Sequence, residues 1–272
     1  MCKHVAEVLR KILSFSVQFA EISREISLTI IPSLLTAVLN EKNTNPEISL
    51  LVARTCIEFF PGASGSFVKR VESLILQVFD TDNYFLIEIA CSCFAILPKC
   101  GSSSGSEKQM SFWEIQWKKV LNSLSVVVKE CYDKNISKAG SEELHLKTIP
   151  VVEPQRTETC VLRIKFLFKC LDLMLNNESS KTVNIPLDST IAIIYTILAV
   201  NEKPFENKVG LESILLKSSI CAVHLSAIKF LSSLILRCGM NLLFCSKITS
   251  MIVRELSCTK CSEKIDGFEQ KY

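Results

Sequence analysis

Apolar residues return at helical spacing in one segment of this chain after another, with short polar or proline-containing breaks between the segments. Val5, Val8, Leu9, Ile12 and Leu13 mark the apolar face of a first helix, and Glu7 and Lys11 form an i,i+4 pair on its other side. Phe15, Phe19, Ile22 and Ile26 continue the spacing, and Pro32 opens a short helix over 33–39. Asn45, Pro46 and Glu47 read as a capping residue, a proline in the first turn and an acid, which starts a helix that ends at Phe60-Pro61-Gly62. Further helices are expected from Ser64-Gly65-Ser66 through Val78 and from Thr81-Asp82 to Leu97-Pro98. The second of these is apolar on nearly all sides, which predicts burial in the middle of a helical stack.

After the connector Gly101-Ser102-Ser103-Ser104-Gly105-Ser106, a long helix is expected over 111–132, with Trp113, Trp117, Val120, Leu121, Leu124 and Val128 inward and Glu114 and Lys118 paired outward. Residues 133–154 are polar, with two prolines and a glycine, and read as a mobile loop of about 133–156. Helices resume over 157–175, 186–200, 218–237 and 241–256, the third stopped by Cys238-Gly239. The tail over 257–272 has weak periodicity and is expected to fray. Helix pairs recur at roughly 40-residue spacing, the length of armadillo or HEAT units. A two-helix unit cannot bury both apolar faces alone, so neighbours stack and share a core. The expected fold is therefore all-α: an armadillo/HEAT-like α-solenoid over 1–256.

Composition narrows the classes further. Apolar residues make up 48% and charged residues 22% of 272 positions, enough apolar surface to offset the entropy of ordering the chain. Only 8 glycines and 8 prolines argue against a turn-rich all-β fold and against a glycine-rich phosphate-binding core. A net charge of +3 predicts no nucleic-acid partner by itself. No run approaches about 18 consecutive apolar residues, and the N-terminus lacks the apolar core of a signal peptide, so the reading is a soluble intracellular protein. The 13 cysteines are scattered, mostly within apolar helical runs (Cys56, Cys91, Cys93, Cys170, Cys221, Cys238 and Cys245), and are expected to be reduced thiols.

No catalytic, cofactor or metal residues are assigned. His4, His145 and His224 stand in no nucleophile–base pattern, and His224, in an apolar helix, reads as a core or edge residue. Cys258 and Cys261 form a lone C-x-x-C without the second pair a structural zinc site needs. The basic clusters Lys69-Arg70, Lys118-Lys119 and Arg163/Lys165/Lys169 read as solvated helix faces in preference to an RNA-contacting stripe. Near matches to L-x-x-L-L begin at Leu9, Leu35, Leu171 and Leu231; in a helical stack this spacing is the core face, while a free helix of this kind docks in a partner groove.

Several stretches, in order, resemble the proline-, glutamic acid- and leucine-rich protein family, whose fungal counterparts are Rix-type subunits of a pre-ribosome maturation complex. They are 60–66, 89–98, the tryptophan helix to Tyr132, 170–175, 183–187, and 224–239 from His224 to Gly239. The resemblance implies a non-catalytic helical-repeat scaffold in the nucleus, nucleolus and nucleoplasm that promotes large-subunit (60S) biogenesis and pre-rRNA processing. It implies WD-repeat and helical-repeat subunits and pre-60S particles as partners, with neither a membrane nor sequence-specific nucleic acid among them. The alternative it carries is nuclear hormone receptor coactivation, which in the family uses strict L-x-x-L-L boxes; this sequence has none, and no long Pro- and Glu-rich acidic stretch. An enzyme using a cysteine or a metal is the contrasting reading.

Overall fold

A computed structural model describes residues 2–40, 45–101, 106–132, 143–177, 184–201 and 210–239. Among these every regular element is helical. The helices are α1 (Cys2–Ser16), α2 (Ala20–Glu25), α3 (Ile31–Val38), α4 (Pro46–Phe59), α5 (Pro61–Ser64), α6 (Val68–Gln77), α7 (Tyr84–Ile96), α8 (Ser106–Tyr132), α9 (Gln155–Asn176), α10 (Leu187–Leu198) and α11 (Leu211–Cys238). A π-helical turn, Ile26–Ile30, joins α2 to α3. Pro32 supplies no N–H to a helical path that would otherwise run straight through, and the wider turn lets the path continue past it.

Capping chemistry places several ends where the sequence puts them. Asn45 accepts from the Ile48 N–H at 3.2 Å and starts α4. At α7 the cap is Asn83, accepting from Leu86 N–H at 3.2 Å, one residue beyond the expected Thr81-Asp82 start. Gly239 takes φ +49 after α11, a conformation that costs glycine little, so the expected stop stands. Two helices begin earlier than their apolar periodicity suggests: α8 at Ser106 and α11 at Leu211. The expected helix over 241–256, the tail, and Cys245, Cys258 and Cys261 lie outside the described residues.

The core is one continuous cluster. Helix α9 lies at its middle, packed against α7, α8 and α11, while α4 packs on α7, α1 on α4, and α10 on both α8 and α11. The six inward residues expected of α8 are all buried. Trp117 stacks on Trp113 with ring centroids 4.8 Å apart and donates its indole N–H to Thr190 Oγ1 at 3.2 Å, tying α8 to α10. Glu114 and Lys118 pair outward at 3.0 Å, as expected. Helix α7 is buried through most of its length, which accounts for its all-round apolar sequence.

The expected face of α1 requires correction. On α1, Leu13 is buried and Leu9 half-buried, but Val5, Val8 and Ile12 face outward, and Glu7 lies near His4 (3.8 Å) instead of Lys11. Within the described part of the expected loop, Leu144 is buried and its N–H donates to Ser123 Oγ at 2.8 Å, Lys147 C=O accepts from Arg163 at 2.7 Å, and Val151 and Val152 are exposed. Helix α7 with its 3-10 extension (Tyr84–Gly101) and α11 are both long and apolar enough to cross a membrane, and neither contains an unbroken apolar run of that length, in keeping with the sequence reading. For α7 the reason is burial in the core; α11 buries one side only.

Candidate partner-binding surface

The sequence assigned no site residues, so the surface has to be built from the fold. Where α1 crosses α4 and α7, near the α9 end that carries Leu173, a cleft of about 460 Å³ opens. Its floor is apolar, made by Leu51, Phe85, Ile89 and Leu173, and its rim is charged, carrying Glu7, Arg10, Arg54, Glu58 and Glu88. Arg10 reaches across to Glu58 at 2.9 Å and ties α1 to α4. The hydroxyls in the cleft are committed to backbone: Thr55 Oγ1 donates to Leu51 C=O and Ser92 Oγ to Ile89 C=O, both at 2.8 Å. A hydroxyl held this way, with no imidazole beside it, is not an activated nucleophile.

Two further clefts flank the 143–149 strap, one bearing His145 with Lys69, Lys119 and Lys147 beside Glu72 and Glu143. The basic clusters do not merge into a stripe. Lys119 faces Glu72 at 3.9 Å, Arg70 donates to Leu39 C=O at 2.9 Å, and Lys169 lies 3.8 Å from Asp172. Arg163 is not on the surface at all. It is 2% exposed, gripping both oxygens of Asp80 at 2.7 and 2.8 Å. His224 is an edge residue, its Nε2 3.0 Å from Ile197 C=O, as its apolar helix implied.

The thiols of Cys56, Cys91, Cys93, Cys100, Cys131, Cys160 and Cys170 are free and buried. Burial pushes the Cys56, Cys93 and Cys100 thiols up to about 12. Cys131 and Cys160 hydrogen-bond across α8 and α9; that bond holds Cys131 up and is the main reason Cys160 is lowered. Cys160 has no exposed surface through which a substrate could reach it. Cys221, also free, is exposed on α11. Among the described residues no three of His, Cys, Asp and Glu converge as a metal site would require.

Each leucine motif sends part of its face into the core, while Ile12 of the first and Ile235 of the fourth are exposed. Leu35, Leu171, Leu231 and Leu234 are buried, and so is Leu13 of the first motif. Sequence reasoning missed the large outward faces of α1 and α11; the signal that marks them is apolar residues on more of the helix circumference than one neighbour can cover.

Over 258 residues, 92% of its length, the chain is 29% identical to mouse proline-, glutamic acid- and leucine-rich protein 1. Over 260 residues it is also 29% identical to the Xenopus laevis protein of the same name. The chain spans 22% and 25% of those two proteins, about a fifth to a quarter of each. No protein-family model matches the chain. The two relatives support the family that the ordered sequence motifs resemble.

Proposed function

From the relationship to the proline-, glutamic acid- and leucine-rich protein family, we propose that this chain is a non-catalytic helical-repeat scaffold of a nucleolar complex that promotes large-subunit biogenesis and pre-rRNA processing. The carrying observation is similarity along 92% of the chain, joined to an all-helical core. In this reading successive helix pairs stack as armadillo/HEAT-like units, and the chain works by holding WD-repeat and helical-repeat subunits against pre-60S particles in the nucleolus and nucleoplasm. Affinity at such surfaces comes from a few anchors seated in clefts with charged rims, of which the α1/α4/α7 cleft is an example. The side chains support binding over bond-making: the cleft hydroxyls are spent on backbone carbonyls, and most thiols among the described residues are sealed in the core.

Receptor coactivation through the leucine motifs is disfavoured, because Leu171 and Leu231 would have to leave the core to enter a partner groove. The test is affinity purification of the tagged chain from nuclear extract, with gradient sedimentation and mass spectrometry. The expected result is cosedimentation with large-subunit precursors and a WD-repeat subunit. Recovery free of pre-ribosomal particles would overturn the proposal.

A further inference from the structure

Helix α11 shows two faces of different kinds. Leu216, Val223, Phe230 and Leu234 are buried in the core. On the opposite side, Leu211, Ile214, Leu225, Ile228 and Ile235 are all exposed, with Cys221 exposed among them. These positions follow the alternating 3,4 spacing of a coiled-coil seam, and the two remaining places in the register, Ser218 and Ser232, are exposed as well. Lys217 and Lys229 flank the seam on opposite sides, and neither meets a carboxylate among the described residues. The helix's acid, Glu212, is held by Arg156 at 3.0 Å.

We propose that this seam docks an amphipathic helix of a partner protein whose apolar 3,4 stripe is bordered by acidic residues. The spacing selects a helix, because alternating a and d positions form a narrow stripe matched by the knobs of another helix. The charge selects the acidic border, since lysines on both sides favour carboxylates there and disfavour cations. A second copy of this chain would bring the same two lysines and no free carboxylate from α11. A lipid surface calls for a broad apolar face with aromatic anchors, and no aromatic residue stands in this stripe. The inference rests on the scaffold reading, naming one of its docking surfaces. Cosedimentation with pre-ribosomes tests that reading separately, so either can fail alone.

Cys221 supplies the readout, being accessible at the centre of the stripe. The full chain is treated with N-ethylmaleimide, and modification of the Cys221 peptide is timed by mass spectrometry. The probes are two four-heptad synthetic helices with leucine at a and d, one bordered by glutamate and one by lysine. The expected result is rapid modification of the free chain, slowed at least tenfold by saturating glutamate helix and unchanged by the lysine helix. The double substitution Lys217→Glu with Lys229→Glu should reverse that preference. Leu225→Ser with Ile228→Ser should abolish protection while leaving the circular dichroism melt in place. Equal protection by both helices would overturn the proposal. So would protection of Cys221 in the free monomer, which would put another segment of the chain on the seam. Protection that appears with concentration alongside a dimer in sedimentation, or on phosphatidylserine vesicles but not with the glutamate helix, would overturn it equally.

Discussion

Replacing Arg163 with methionine separates a buried structural cation from a surface contact. The guanidinium donates to both Asp80 oxygens and to Lys147 C=O, at 2.7–2.8 Å. Hydrogen bonds to charged groups contribute about 1.5–3 kcal/mol each, but the cation also bears a desolvation cost of several kcal/mol. In Arg163→Met the stem keeps its packing, and Asp80, 27% exposed, recovers water. The expected net loss is about 2–4 kcal/mol. Asp80→Asn leaves the cation buried with a weakened partner, so it should cost as much or more, about 3–5 kcal/mol. Urea unfolding of both single variants and the double variant at neutral pH measures the coupling, expected at roughly 2 kcal/mol because the partners are in direct contact. A loss below about 0.5 kcal/mol in Arg163→Met, the range of ordinary surface substitutions, would refute the reasoning and return Arg163 to the surface.

Trp117→Ala should cost about 3–5 kcal/mol in thermal or urea unfolding, since it empties a fully buried site between α8, α10 and α11 and removes the N–H that Thr190 Oγ1 accepts. Alkaline conditions should weaken the fold. The Cys56, Cys93 and Cys100 thiols sit near 9 when unfolded and at about 12 when folded, so above pH 9 the unfolded chain binds fewer protons than the native one. Stability should be complete below pH 9 and be lost as pH rises toward 12, at up to about 1.4 kcal/mol per unit per thiol. A urea midpoint independent of pH between 9 and 11 would contradict this.

Much of the helical order was legible because its determinants are local. Asn45 caps α4 through an atom three residues away, and Gly239 stops α11 by its own backbone freedom. The apolar circumference of α7 announced its burial, and the tryptophan face of α8 needed only the helical period. Arg163 was hidden because its partner Asp80 lies on a distant segment, and an arginine at helical spacing beside Lys165 and Lys169 has the pattern of a solvated face. The 143–149 strap was unreadable for the same reason: Ser123, which pins Leu144, is on another helix.

By itself, then, the sequence determined that this chain forms helices, roughly where each begins and ends, and which residues are apolar enough to be buried. Those are properties of the residue and of neighbours within about one turn. Tertiary structure alone decided which side of α1 and of α11 faces inward. On α1 and α11 the apolar arc is wider than a single neighbour covers, and the rotation was chosen by α4 and α9, leaving Val5, Val8 and Ile12 on one helix and Leu225 and Ile228 on the other turned to the outside.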